Sequence, residues 1–351
     1  MSVTISDVAN AAGVSKSTVS KVLNNSSTIS PATIERVKSV MAELHYTPNQ
    51  RAVSFAKQTT DNIVYLANLS AHSAFFNPHM FDIMCGVHHE LSSSGYTMTL
   101  VDTSCETYPG ERAIQEIIRR SADGLVIHGS AITQELGEHI LEAGIPHIII
   151  GHPEYDNRLC WIDTNHSMAG EFAADHMVDC GYTNVYFLAG KKSEEISNQR
   201  VKGFLKGMLN HKIHIAKDRV LYTDASRLGA YKTVLNLLRE IYHGNSSSSD
   251  AGHKIECIIC ENSELALGAM KAIQEMKLSL PEDIALLTFD SYPYSGIIDP
   301  TPTVIDINLY DMGSQAGSMI LRKLAHPELL IQSYTALPVL IQGCTTCYKR
   351  K

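Results

Sequence analysis

From Asn62 onward the chain alternates short apolar runs with amphipathic helical stretches, and this alternation limits the fold more tightly than any other feature. Candidate strands are Ile63 to Leu69, Thr97 to Asp102, Gly124 to His128, His147 to Gly151, Val185 to Ala189, Ile255 to Cys260 and Ile284 to Phe289. Strands that are apolar on both faces and separated by helices belong in parallel sheets covered by helices, so an α/β class is expected. A length of 351 residues exceeds one core and implies two or three domains. Hydrophobic residues make up 44% and charged residues 19%, a globular composition that excludes wholesale disorder.

No run approaches the roughly 20 apolar residues of a membrane span. The first stretch carries Asp7, Lys16 and Lys21 without an apolar segment, unlike a signal peptide. A cytoplasmic protein with no membrane contact and with its 8 cysteines reduced is the expectation. Charge is uneven. Within residues 1–60, Lys16, Lys21, Lys38, Lys57, Arg36 and Arg51 oppose Asp7, Glu35 and Glu43, giving +3 and leaving -11 for the rest of a chain whose total is -8. A basic head on an acidic body points to a polyanionic partner for the head.

That head reads as three helices. Thr4 and Asp7 have capping-box spacing, Val8, Ala9 and Ala12 form a short stripe, and Gly13 ends it. Ser15 can cap a second helix with Val19, Val22 and Leu23 on one side and Lys16, Ser17, Ser20 and Lys21 on the other. Asn24 to Ser27 make a turn, Ser30 and Pro31 start a third helix, and Ile34, Val37, Met41 and Leu44 stripe it. Two short helices joined by a glycine turn and braced by a third form a helix-turn-helix unit. On pattern alone, a plain helical cap with solvated lysines fits equally well.

Beyond the head there is no G-x-G-x-x-G after a strand, no G-x-x-x-x-G-K-[ST], no H-E-x-x-H and no G-x-S-x-G, so no catalytic residue or cofactor is expected. Cys257-x-x-Cys260 and Cys344-x-x-Cys347 have the look of a four-thiolate zinc set. Residues three apart in a strand point to opposite faces, which argues against chelation by the first pair, and no metal site is expected. His88, His89 and Glu90 diverge on a helix surface for a related reason. Asn245 through Asp250 reads as a surface loop.

The run Thr4-Ile5-Ser6-Asp7-Val8-Ala9, Ala12-Gly13-Val14-Ser15 and Thr18-Val19-Ser20-Lys21-Val22-Leu23-Asn24 resembles the LacI-family DNA-binding headpiece almost position for position, and Tyr46, Pro48 and Asn49 continue the likeness. The resemblance implies a helix-turn-helix domain over 1–47, a hinge over 48–60 and an effector and dimerisation domain over 61–351. Lys16, Ser17 and Lys21 would then face base edges, with Lys21 standing where the family usually has arginine. Thr18 and Ser20 would hold phosphates. Asn24, Asn49 and Arg51 complete the expected DNA-contacting set, and Phe55 takes the place of a leucine that wedges between base pairs in the minor groove. Burial against the first strand is the competing role for Phe55. Val53 replaces a family arginine.

The body resembles the LacI-family effector domain, itself similar to periplasmic sugar-binding proteins. This implies two Rossmann-like lobes, the first about 61–160 and 291–320 and the second about 161–290 and 321–343, with crossings near 160, 291 and 320. A small effector, expected to be a sugar or sugar derivative, would bind between the lobes and control operator binding by a homodimer. Arg200 and Asp290 match the family's ligand-binding arginine and acid, and Asn262, Asn77, His79 and Phe289 complete the expected effector set. Ser263 replaces a family aspartate, and Asp224 falls where an aromatic residue is common. A cytosolic sugar receptor and an enzyme acting on sugars or nucleosides are the competing functions. No leucine heptad follows the last strand, so no coiled-coil tetramer is expected.

Overall fold

The computed structural model describes residues 3–23, 28–46, 59–69, 78–104, 110–119, 121–243, 255–291 and 297–346. Asn24, Asn49, Arg51, Val53, Phe55, Asn77 and Cys347 lie outside the described residues, as do most of the expected hinge and the loop through Ser246 to Ser249. The chain divides into two compact units, Met1–Asn62 with Glu116–Asp123, and Ile63–Gln115 with Gly124–Lys351.

The first unit contains α1 (Ile5–Ala12), α2 (Lys16–Leu23) and α3 (Pro31–Glu43). Local chemistry sets each boundary. The Asp7 carboxylate accepts from the Thr4 backbone N–H at 2.8 Å and from the Thr4 hydroxyl at 2.7 Å. Gly13 adopts φ +63, and the Val14 N–H returns to the Ala9 carbonyl at 3.0 Å, so the chain reverses where a Cβ would be strained. The Ser15 hydroxyl accepts from Thr18 N–H at 3.1 Å and opens α2. Ser30 caps α3 through Thr33 N–H, and Pro31 is its first residue. Val8, Ala9, Ala12, Val19, Val22 and Val37 are buried together, so the apolar stripes of all three helices meet in one small core.

The second unit opens with β1 (Asn62–Ala67), which enters it at Ile63, then α4 (Pro78–Ser93), β2 (Thr97–Asp102), α5 (Glu111–Ile118), which belongs to it through Gln115, β3 (Gly124–His128), α6 (Gln134–Glu142), β4 (His147–Ile150) and β5 (Trp161–Thr164). It continues through α7 (His166–Asp179), β6 (Val185–Ala189), α8 (Glu195–Asn210), β7 (Val220–Tyr222) and α9 (Arg227–His243). Then come β8 (Cys257–Cys260), α10 (Ser263–Glu275), β9 (Ala285–Phe289), β10 (Thr303–Asp306), α11 (Leu309–Ala325), β11 (Ser333–Ala336) and β12 (Val339–Ile341). The strands form two sheets of six, in the orders β11-β5-β4-β3-β1-β2 and β12-β10-β9-β8-β6-β7. Pairing within the second sheet is parallel except where β12 runs antiparallel to β10. Without its late strand, each sheet has the doubly wound order 2-1-3-4-5, whose ligand crevice lies where the order reverses, outside the strand C-termini. In the second sheet that point is between β6 and β8.

Topology corrects the expected lobe boundaries. The chain leaves the first sheet after β5, close to the expected 160. It returns only after β10, at 306–309 rather than near 291, because β10 pairs with β9. It crosses again between β11 and β12, at 336–339 rather than near 320, because β11 pairs with β5. Apolar periodicity marks a strand but not its partner, and β10, β11 and β12 have only three or four residues each.

Both faces of the second sheet are covered. Phe187, Phe204, Cys257, Ile259 and Phe289 pack on one side, and Tyr186, Leu188, Ile258, Cys260 and Leu286 on the other. Cys257 and Cys260 thus enter opposite faces. Among the described residues no group of three His, Cys, Asp or Glu side chains is placed to hold a metal, and no helix is long and apolar enough to cross a membrane.

Candidate functional site

In the first unit, α2 turns Val19 and Val22 inward while Lys16, Ser17 and Lys21 are exposed and Thr18 and Ser20 are half-buried. Positions 16, 17, 20 and 21 share one side because residues four apart on a helix are neighbours. The hydroxyls of Ser17 and Thr18 lie 2.7 and 2.8 Å from Ser15 Oγ and serve the helix start. Lys16 and Lys21 are therefore the extended donors of this face.

In the second unit, the C-terminal ends of β6, β8 and β9 bring together residues that are far apart in sequence. Gly190 follows β6, Glu261 follows β8 and Asp290 follows β9, and α8 supplies Ser197 and Arg200. Arg200 is 3% exposed and Asp290 6%. Arg200 Nη1 donates to Asp290 Oδ2 at 3.0 Å and to the Glu261 backbone oxygen at 2.6 Å, while Nη2 donates to Asp290 Oδ1 at 2.9 Å. Burial opposes ionisation of Asp290, but the charges of Arg200, His79 and His166 and the Arg200 hydrogen bond outweigh it and hold its pKa below the ordinary carboxylate value.

A close helix contact seats Arg200. A Cβ on Gly170 of α7 would strike the Arg200 carbonyl oxygen, and one on Gly203 of α8 would strike the Ser167 carbonyl oxygen. The two helices touch backbone to backbone at this level. Phe289 lies beneath the guanidinium, with its ring centroid 4.9 Å from Arg200 Cζ. It is fully buried and packs 6.0 Å from the Phe187 ring, so the expected effector contact is placed as a core residue supporting Arg200. Asn262 caps α10 by accepting from Leu265 N–H at 2.9 Å. Asp224 is exposed and accepts from the Ser226 hydroxyl at 2.6 Å.

Several residues outside the expected set join this crevice. The Glu261 side chain, 4% exposed, accepts from Gly190 N–H at 2.6 Å and from the Ser197 hydroxyl at 2.7 Å. A glutamate ending the apolar run Cys257–Cys260 was the available signal, overshadowed by its neighbour Asn262. Asp163, at the end of β5, accepts from Thr164 and His152 backbone N–H groups at 2.7 and 3.0 Å and lies 3.4 Å from His166 Nε2. Burial raises its pKa, and the His166 contact with these hydrogen bonds reverses the shift to a net lowering. Among the described residues, the buried polar atoms without a hydrogen-bond partner include Arg200 Nε, Ser263 Oγ, His166 Nδ1 and Thr164 Oγ1. Buried polar groups are nearly always paired, so an unpaired Arg200 Nε beside the Asp290 pair is a donor that a ligand or water can complete. Ser263 and Asp290 share the lining of a cavity of about 20 Å³, about the size of one water. A larger groove of about 540 Å³ runs past Leu267, Met270, Leu278 and Pro300. It lacks converging buried polar groups, which places the candidate site at the strand ends instead.

The Arg200–Asp290 pair, an acid and a base held by two hydrogen bonds, offers oriented donors and acceptors to a polar ligand.

Residues 4–49 match the family described as "Bacterial regulatory proteins, lacI family", and residues 174–346 match "Periplasmic binding protein-like domain". The chain is 26% identical over 343 residues to the HTH-type transcriptional repressor PurR of Actinobacillus pleuropneumoniae serotype 3, covering 94% of this chain and 97% of the relative. It is 27% identical over 345 residues to PurR of Vibrio vulnificus, with coverage of 94% and 97%. Among solved structures, a lac repressor dimer bound to operator and the anti-inducer ONPF superposes with a TM-score of 0.78 at 24% identity, covering 99% of both chains. The complex of the transcriptional regulator CelR with cellobiose gives 0.69 at 21% identity, covering 98% of this chain and 99% of that one.

Proposed function

Because the chain belongs to the lacI family of bacterial regulatory proteins, we propose that it is a repressor whose grip on an operator is set by a small effector seated at the C-terminal ends of β6, β8 and β9. It is a DNA-binding regulator, as the repressors it resembles are, and not an enzyme. The observation that carries the effector half of this reading is the buried Arg200–Asp290 pair at the strand ends, with Arg200 Nε lacking a hydrogen-bond partner.

Two copies of the headpiece grip a nearly palindromic duplex, and Lys16, Ser17 and Lys21 read base edges while Thr18 and Ser20 meet phosphates. Asn24, Asn49, Arg51 and Phe55 extend this contact, with Phe55 as the minor-groove wedge. Arg200, Asp290, Asn262, His79 and Asn77 hold the effector, which is a carbohydrate. Support for that class comes from the CelR complex, a related fold that holds cellobiose. The DNA target places the protein in the cytoplasm, acting as a homodimer. Effector and operator binding are coupled reciprocally, by about 1–3 kcal/mol as in other such switches.

The test selects duplexes from a random pool with the full-length chain, then titrates the selected duplex with and without candidate sugars. A selected sequence whose affinity shifts at least fivefold with one sugar supports the reading. Equal affinity for all duplexes would leave a sugar receptor, and turnover of a bound sugar would make the protein an enzyme.

A further inference from the structure

Resting on the reading of the chain as an operator-gripping dimer, we propose that the open edges of β11 and β12 are a second self-association surface, on which another dimer of the same chain docks to give a tetramer.

Exposure singles out this stretch. Tyr334, Leu337, Val339, Leu340 and Ile341 are all exposed, with Leu337 at 62% and Val339 at 60%, and Leu330 just ahead of β11 is exposed as well. All three residues of β12 are exposed, so neither face of that strand is covered. Exposed apolar side chains scattered singly are ordinary, whereas a continuous run of them marks an association surface.

Topology leaves both strands open on one side. β11 ends the first sheet beside β5, and β12 ends the second beside β10. The N–H groups of Trp161 and Asn165 donate to the carbonyls of Gln332 and Ala336, so by strand alternation the backbone groups of Ser333 and Thr335 point away from β5. Edge strands are normally shielded by charged side chains, by proline or by a covering element. At the opposite ends of the two sheets charge is at hand: β2 ends on Asp102, and Lys217, Asp218 and Arg219 run directly into β7. From Leu329 to Thr346, by contrast, there is no Asp, Glu, Lys, Arg or His, in a chain of which 19% is charged. Pro338 stands in the connection between β11 and β12 and interrupts neither strand.

Neutrality chooses the occupant. A partner recognised by its charge finds no counter-charge along this strip. A copy related by a two-fold axis meets the identical strip, where any charge near the axis would face its own like, and an uncharged strip avoids that repulsion. The same axis sets two identical edge strands antiparallel, an orientation in which their open backbone groups can pair. Such a contact is isologous and closes on itself. Each operator-gripping dimer carries two strips, and pairing both ends the assembly at four chains.

The experiment is sedimentation velocity of the full-length chain at micromolar concentration, for the wild type, Leu340→Lys and Thr335→Pro. The first variant places a charge on the strip at an already exposed position. The second removes an outward N–H, a change that edge strands tolerate. Expected is a tetramer for the wild type and half that mass for each variant, with unchanged far-ultraviolet circular dichroism and unchanged affinity for a single selected duplex. A wild type that stays a dimer overturns the proposal, and so do variants that remain tetramers. A variant that falls to a monomer and loses duplex affinity also overturns it, because the strip would then be the dimer interface itself. Failure of the regulator reading looks different: the tetramer forms and halves as expected, yet no duplex sequence is selected.

Discussion

Arg200 and Asp290 meet through two parallel hydrogen bonds of 3.0 and 2.9 Å, with both residues almost fully buried. Removing one partner of such a pair leaves an uncompensated buried charge, at a cost of about 3–5 kcal/mol, whereas replacing both removes the charge problem. Arg200→Met and Asp290→Asn are each expected to destabilise the second unit by about 3 kcal/mol, and the Arg200→Met/Asp290→Asn double variant by less than the sum. Urea denaturation of the four proteins reads the coupling directly. Strict additivity would mean that the two charges do not sense each other.

Gly203 gives a sharper packing test. Alanine there improves helix propensity by about 1 kcal/mol, but its Cβ would run into the Ser167 carbonyl oxygen of α7, a backbone atom that cannot rotate away. Overpacking of this kind typically costs about 1–3 kcal/mol. Gly203→Ala is therefore expected to lower the melting temperature and weaken effector binding together, since the same helix contact seats Arg200. A higher melting temperature would show that α7 and α8 separate without penalty.

Much of this was legible in the sequence because its chemistry is local. The Thr4–Asp7 box, the Gly13 reversal, the Ser15 cap and the Ser30-Pro31 start each lie within a few residues of their partners, and each is observed. Long-range pairing was not legible. Arg200 and Asp290 were both singled out, yet nothing in the spacing of residues 90 apart says that they bond to each other. Strands β5, β7 and β10 to β12 are three or four residues long and carry too short a pattern to stand out. Glu261 stands beside a helix cap, where sequence gives no sign of burial, and the fold shows it 4% exposed.

Histidines that lose hydration on folding make stability fall on mild acidification. Desolvation drives the pKa of half-buried His128 down to about 4, and its Nδ1 lies 2.8 Å from Ser130 Oγ and accepts from the Ser130 N–H at 3.2 Å. His147 is lowered by burial too, and His147 Nε2 accepts from Cys160 N–H at 3.1 Å. Such a group binds its proton in the unfolded chain near pH 6.5 but not in the native one, so stability is intact above 6.5 and is lost as pH falls toward 4. For His128 the loss approaches about 3 kcal/mol. Asp290 and Asp163, both lowered, act in a separate window: their contribution is present above the ordinary carboxylate pKa of 3.8 and disappears below it. Melting temperatures from pH 7.5 to 4.5 should therefore drop, and His128→Gln should flatten that slope. An unchanged slope in the variant would locate the acid sensitivity elsewhere.

Lys16 and Lys21 separate base reading from simple attraction to DNA. Both are exposed on the side of α2 opposite buried Val19 and Val22, while the neighbouring hydroxyls of Ser17 and Thr18 each share one hydrogen bond with Ser15. A lysine donating to guanine O6 and N7 contributes discrimination of about 1–3 kcal/mol at one position. Lys16→Ala should therefore flatten preference at a single base pair of the selected operator while binding to unrelated duplexes changes little. The competing outcome is equally measurable. If the variant weakens all duplexes alike and lowers the slope of log affinity against log salt by about 1, Lys16 neutralises a phosphate instead, and base reading falls to Lys21.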